Sequence, residues 1–280
     1  TTTPPTRAPS MLTTETVERW LREDVGHRDV TNHVPGRTTG RLVATEPGVA
    51  AGVDAAAAVF DHLGCDPTPA VSDGDAVEAG ETVLDVSGAA RDVLRGERTA
   101  ANVVAHAAGV ATRTRRAVRA ARTASESVRV AATRKTTPGL RGVEKRAVAA
   151  GGGDTHRLTL SGLVMIKDNH IAEMGLDGAV EHFRARKSFA TNMEVAVESP
   201  TAATRAADAG ADIVLLDNLP PTAVREAVER VPDDVTTEAS GGITLDSLPT
   251  YAETGVDVVS LGSLTHSAPS LDVSFRTAGR

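Results

Sequence analysis

Cysteine is almost absent from this 280-residue chain, where Cys65 stands alone. A single thiol permits no intrachain disulfide and cannot build a thiolate zinc site, which matches a reducing cytoplasm. Aromatic residues make up 2% of the chain, with one Trp, one Tyr and four Phe. That leaves little surface on which single-stranded nucleic acid could stack. Lysine is also scarce, since 30 Lys and Arg residues include only Lys135, Lys145, Lys167 and Lys187. No run reaches the roughly 18 apolar residues of a membrane helix, and Thr1 to Ser10 holds no apolar signal-peptide core. The expectation is a cytoplasmic protein with a short disordered lead at 1–12, no membrane association and no nucleic-acid partner.

What is present is an ordinary folded composition, 40% apolar and 24% charged, long enough for one large domain or two modest ones. A first helix is expected from Thr13 or Thr14, with Glu15 in its opening turn and Val17, Trp20 and Leu21 on one face. GRLVATEPG reads as a strand and turn, Val53 to Leu63 as an Ala-rich helix, and VSDGDAVEAGETVLDVSG as short strands joined by glycine turns. The last stretch is similar to the half-barrel of biotinyl and lipoyl carriers. Carriers need a lysine at the hairpin tip, and the first lysine here is Lys135, so that role is excluded. A helical pattern resumes near Val93 and sets Arg98, Asn102 and His106 at i, i+4 and i+8. The Arg-rich stretch Ala111 to Ser125 reads as the solvated face of an amphipathic helix, with Val110, Ala117, Val118 and Ala121 inside.

From Val128 onward, apolar strands recur at 128–132, 163–166, 193–197, 212–216, 235–239 and 256–261. Each is followed by a polar cluster and a helical stretch, the rhythm of β-α units whose parallel strands are buried on both faces. The expected fold is α/β: an α/β barrel with fewer than eight strands at 109–268, beside a smaller α+β N-terminal domain at 13–108 joined by 269–280.

In such folds the strand C-termini form one rim, so clusters distant in sequence converge. The clusters are Thr133-Arg134-Lys135, Lys167 to His170, Glu198, Asp217-Asn218, Ser240-Gly241-Gly242 and Gly262-Ser263. Between Arg129 and Lys167, eight Lys and Arg stand against two acids, in a chain of net charge −7. A basic island of this kind suits a polyanionic ligand, the plain alternative being a solvated helix face. Arg134 and Arg157 can fork onto carboxylates, while Lys135 and Lys167 are compact charges for phosphate oxygens. The glycine loops after the last two strands can cradle a phosphate with backbone N–H groups. Asp217 can hold magnesium or cap a helix. His156 can donate to a carboxylate or satisfy a loop carbonyl. Pattern alone reaches an α/β-barrel enzyme for a phosphorylated, carboxylate-bearing metabolite.

Taken in order, ATRKTTPGLR, GGG-D-T-HR, MIKDNHI, LLDN, SGG and LGSLTHS resemble the quinolinate phosphoribosyltransferase family, and EDVGHRDVT with GERTAANVVAHAAGVAT extends the likeness from Glu23 to Leu271. The resemblance implies that quinolinate and phosphoribosyl pyrophosphate react, with magnesium and no organic cofactor, to give nicotinate mononucleotide, pyrophosphate and carbon dioxide in NAD biosynthesis. It also implies a homodimer with shared active sites. Quinolinate is then assigned to Arg134, His156 and Arg157, with Arg98 of the partner subunit, and Thr133 is a further substrate-binding residue. Lys135 and Lys167 fall between the substrate carboxylates and the pyrophosphate. Asp217 serves the ribose and magnesium, with Glu194 a further substrate-side acid. Ser240, Gly241, Gly242, Gly262, Ser263 and His266 take the 5′-phosphate.

One departure stands out in Glu194-Val195-Ala196-Val197-Glu198, where the family pattern has a central glutamate in place of Ala196. Residues 194, 196 and 198 share a strand face, so Glu194 or Glu198 is expected to supply the charge through water. The intact Lys167 to His170 motif favours quinolinate over another pyridine acid or a molybdenum-transport accessory role. Ala196 is the one feature that suits a non-catalytic relative.

Overall fold

The computed structural model describes residues 12–277, in two compact units divided between Thr112 and Arg113, with residues from Pro269 onward returning to the first. Of the expected lead, residues 1–11 lie outside the described residues.

The first unit begins with α1 (Thr14–Val25), capped by the Thr13 hydroxyl, which accepts the Thr16 N–H at 3.3 Å. Val17 and Leu21 are its buried face. Then come β1 (Arg37–Ala44), β2 (Gly48–Val49), α2 (Val53–His62), β3 (Asp66–Pro69), β4 (Ala76–Val77), β5 (Thr82–Ala89) and α3 (Ala90–Arg122). The final strand, β12 (Val273–Thr277), completes an antiparallel sheet of order β12-β1-β5-β3, and β2 pairs with β4. Leu42, Leu84 and Val86 of the sheet meet Phe60 of α2 and Val93 and Val104 of α3 in one core. Burying each of the larger side chains contributes about 1.5–3 kcal/mol. The C-terminal return is tight. A Cβ on Gly109 would sit 2.1 Å from the Pro269 carbonyl oxygen, and the Leu271 N–H donates to the Ala105 carbonyl at 2.9 Å.

The second unit takes the last turns of α3 and then runs β6 (Arg129–Ala132), α4 (Arg141–Ala150), β7 (Val164–Ile166), α5 (Asp168–Met174), α6 (Leu176–Arg184), β8 (Met193–Val197), α7 (Pro200–Asp208), β9 (Ile213–Asp217), α8 (Pro221–Val228), β10 (Thr236–Ser240), α9 (Leu248–Ala252), β11 (Val258–Leu261) and α10 (Ser263–His266). Its six strands are parallel in the order β6-β11-β10-β9-β8-β7, so the first strand of the unit pairs with the last. Past the free side of β6, Asp154 forms a parallel bridge with Ala131. Two residues on, His156 touches both Glu238 of β10 and Glu194 of β8. A side chain entering beside one end of the strand order and reaching its middle requires the sheet to curl, which is the expected barrel of fewer than eight strands. Helices begin where sequence stops the strands: Ser199 caps α7 through the Ala202 N–H, with Pro200 in its first turn.

Candidate active site

Because parallel strands all point the same way, their C-terminal ends surround a single cavity of about 690 Å³. Thr133, Arg134 and Lys135 enter after β6, His156 and Arg157 from the loop before β7, and Lys167 after it. Asp217 ends β9, Ser240, Gly241 and Gly242 follow β10, and Gly262, Ser263 and His266 follow β11. All of these were expected at the site, and all line this cavity. Ala196 lines it too.

Two expected residues lie elsewhere. Glu194 does not line the cavity but is wholly buried, 3.6 Å from His156. Arg98 belongs to the first unit, where it borders a separate recess with Asn102 and Asp272. The expectation that Glu198 could replace the missing charge is corrected. Strand β8 ends at Val197, so the alternation does not carry to Glu198, which is exposed and outside the lining. The Arg-rich stretch also needs correcting at one position. Arg113 lines the cavity, three residues after Val110 and four before Ala117 on the inward face of α3.

Glu238 is the acid that sequence reasoning missed. It lies on β10 two residues before Ser240, on the same inward face, and a carboxylate inside a strand buried on both sides was the available signal. Its Oε2 is 3.1 Å from His156 Nε2, while the Arg157 N–H donates to His156 Nδ1 at 2.7 Å. The bond to Nδ1 places the imidazole proton on Nε2, aimed at Glu238. Burial opposes a charged imidazole, but the hydrogen bond and charge of Glu238, aided by Glu194, raise the His156 pKa overall. Burial, and then the Glu238 carboxylate, push Glu194 up to about 8. Burial and the neighbouring Arg134 lower Arg157.

Backbone strain concentrates here. Among the described residues, His156 (φ 51°) and Asn218 (φ 55°) are the two non-glycine residues with positive φ. His156 is held by its N–H to Asp154 Oδ1 at 2.7 Å. Asn218 donates its side-chain amide to Asp217 at 3.2 Å and its N–H to the Ser240 carbonyl at 2.8 Å. At Gly241 (φ 95°) a Cβ would fall 2.2 Å from Asn218 Oδ1, so only glycine fits that loop. The Lys167 to His170 motif has a local explanation: His170 Nδ1 accepts the Lys167 N–H at 3.1 Å and caps α5. Lys167 is thereby held at the rim.

Five cations, Arg113, Arg134, Lys135, Arg157 and Lys167, share the lining with two acids, Asp217 and Glu238. The buried Nε atoms of Arg113 and Arg134 have no hydrogen-bond partner among the described residues. Buried donors in that state mark places where an anionic ligand would be received. For a metal there are two possible donor groups. His156, Glu194 and Glu238 bring ligand atoms within 4.8 Å of one another. Magnesium takes oxygen ligands and keeps its waters, so this set, with its imidazole nitrogen and a wholly buried carboxylate, suits it poorly. Asp217, a half-buried carboxylate in the lining, fits an ion that shares its coordination with substrate phosphates.

An α/β barrel with cations and glycine loops on its C-terminal rim defines an enzyme for small polyanionic metabolites. The comparisons make this specific. Residues 27–108 match the N-terminal domain model of quinolinate phosphoribosyl transferase, and residues 110–276 match its C-terminal domain model. The chain belongs to the quinolinate phosphoribosyltransferase family. It is 44% identical over 273 residues to a probable nicotinate-nucleotide pyrophosphorylase (carboxylating) of Methanothermobacter thermautotrophicus, covering 94% of this chain and 98% of that protein. It is 41% identical to the human nicotinate-nucleotide pyrophosphorylase (carboxylating), covering 93% and 90%. Among solved structures, NadC from Streptococcus pyogenes aligns with a TM-score of 0.88 at 38% identity, covering 94% of each chain. The Francisella tularensis nicotinate-nucleotide pyrophosphorylase aligns with a TM-score of 0.89 at 32% identity, covering 94% of this chain and 95% of that one.

Proposed function

We propose that this chain transfers a phosphoribosyl group from phosphoribosyl pyrophosphate to quinolinate with loss of carbon dioxide, forming nicotinate mononucleotide for NAD biosynthesis. The observation that carries the reading is the convergence of Arg134, Lys135, Arg157 and Lys167 on one cavity whose lining also includes the glycine loops after β10 and β11. Quinolinate brings two carboxylates, which the forked donors of Arg134 and Arg157 match. Lys135 and Lys167 offset the charge of the pyrophosphate as it leaves, and Ser240 to Gly242 with Gly262 and Ser263 receive the 5′-phosphate. Fixed cations beside the departing carboxylate stabilise electron density left on the ring carbon. His156, bonded to Glu238 through Nε2 and to the Arg157 N–H through Nδ1, lines the same cavity and fixes the backbone that carries Arg157.

Magnesium would be held by Asp217 together with substrate oxygens, where it would supply charge neutralisation on the pyrophosphate. Ala196 removes a second carboxylate from this wall. Its strand partner is Leu215, two residues before Asp217 on the adjoining strand. Ala196→Glu is expected to strengthen magnesium dependence, lowering the magnesium concentration for half-maximal turnover severalfold. No gain in magnesium affinity or turnover would show that the alanine is not a deficit. The wider reading includes a homodimer whose sites are completed by Arg98 of the partner subunit, in a reducing cytoplasm that suits the one buried cysteine. The direct test is incubation of purified protein with quinolinate, phosphoribosyl pyrophosphate and magnesium, following nicotinate mononucleotide by chromatography, with nicotinate as control substrate. Product from quinolinate alone is expected; none from either acid would overturn the reading.

A further inference from the structure

Helix α4 carries four charged residues, Arg141, Glu144, Lys145 and Arg146, none of which lines the cavity, and the first three bond to the loops beside it. Glu144 and Lys145 are almost wholly buried, at 0% and 2% exposure, on a helix whose other inward positions are Val143, Ala147 and Val148. A helix needed only for packing would be better served by apolar side chains there, because burying a charge costs several kcal/mol. Their partners explain their presence. The Glu144 carboxylate accepts the Thr137 N–H at 3.1 Å, and the Arg141 Nε–H donates to the Thr136 hydroxyl at 3.0 Å. Both bonds hold the segment that has just delivered Arg134 and Lys135 to the cavity. Turning to the other loop, Lys145 Nζ donates to the Thr155 carbonyl and an Arg141 Nη donates to the Leu158 carbonyl at 3.3 Å. Those two carbonyls flank His156 and Arg157.

We infer that Arg141, Glu144 and Lys145 act as a positioning clamp, fixing the Arg134–Lys135 loop and the His156–Arg157 loop at the spacing that the substrate carboxylates require. None of the three is a catalytic residue; each acts through the loop it holds. His156 sits in a left-handed backbone conformation that costs energy, so its loop needs anchors on both sides to stay there. Side chains that hold a binding group within a fraction of an ångström set affinity without touching the ligand, since a displacement of about 1 Å can cost as much as a hundredfold. Of the groups held in this way, Arg134, His156 and Arg157 face the acid substrate and Lys135 faces the pyrophosphate, so the clamp acts chiefly on the acid substrate.

This inference rests on the functional reading above and is tested on the full-length protein. Lys145→Met keeps the length and removes the donor; Arg141→Met does the same at a less buried helix position. Quinolinate affinity by calorimetry, KM for quinolinate and for phosphoribosyl pyrophosphate, and Tm are measured for each. The expected result is a loss of quinolinate affinity and a rise in its KM of about tenfold or more, with a clearly smaller rise in KM for phosphoribosyl pyrophosphate through Lys135, and partial recovery in Arg141→Lys. If Lys145→Met does not fold, the Arg141 pair decides. Variants that bind quinolinate like wild type, or that weaken both substrates in parallel with a fall in Tm, overturn the clamp. A wild type that neither binds nor turns over quinolinate overturns the functional reading instead.

Discussion

Glu194 has no exposed surface, and neither of its carboxylate oxygens has a hydrogen-bond partner among the described residues. Burial and Glu238 raise it from 4.5 to about 8, so at neutral pH the folded protein holds a proton there that the unfolded chain releases. The stability that follows is fully present below pH 4.5 and is lost as pH climbs through about 8. His156 acts in the same direction, since its raised pKa gives stability below 6.5 that disappears above its folded value. Lys145 opposes both at higher pH. Burial, then Arg141, lowers it from 10.5 to about 8, so stability recovers between those values as the unfolded chain alone keeps the proton. Thermal unfolding across pH 5 to 10 is therefore expected to show a minimum near pH 8. Glu194→Gln, which copies the protonated acid, should flatten the fall between pH 5 and 8, with a gain on the order of a few kcal/mol at pH 8. Equal slopes for variant and wild type would mean that Glu194 is ionised in the fold.

At the scale of elements, the sequence spoke clearly where one constraint dominates and poorly where two compete. Parallel strands buried on both faces are mostly apolar, and each of the six was legible to within about two residues, with β10 (Thr236–Ser240) the most polar of them. The rim followed from them, because clusters after parallel strand ends converge, with Glu198 the exception that turns to solvent. Helix α3 was harder. It is one helix of 33 residues, yet it reads as two, an apolar half and an Arg-rich half, because its surroundings change along its length. That hid Arg113, whose charge argued for solvent while its position between Val110 and Ala117 argued for the interior. The basic island mixed two roles in the same way. Arg134, Lys135, Arg157 and Lys167 face the cavity, whereas Arg141 and Lys145 brace loops and Arg129 lies 3.7 Å from Asp154. Charge density locates a site; only the paths of the loops separate the groups that bind from those that hold. Glu238 escaped notice because a single acid in VTTEA looks like an ordinary strand residue until His156 is seen to reach it.

At the scale of the whole molecule, the proposed dimer rests on Arg98. Its side chain is 66% exposed, its nearest acid among the described residues is Glu97 at 3.9 Å, and it lines a recess separate from the catalytic cavity of its own chain. Its exposed guanidinium is open to a second copy, and in the dimer proposed above it would complete the site of the partner subunit. Sharing of this kind has a signature that no single-chain site can produce. Arg98→Ala and Lys167→Ala should each abolish most activity when prepared alone. When the two are unfolded together and refolded, random pairing makes half of the dimers mixed, and each mixed dimer contains one site with neither substitution. Activity should return to about a quarter of wild type, the share of intact sites in a random population of two-fold dimers. Sedimentation of the wild type as a dimer is the companion measurement. A monomer, or a mixture that stays as inactive as its components, would place Arg98 outside the site and require the cations of one chain to bind both substrates unaided.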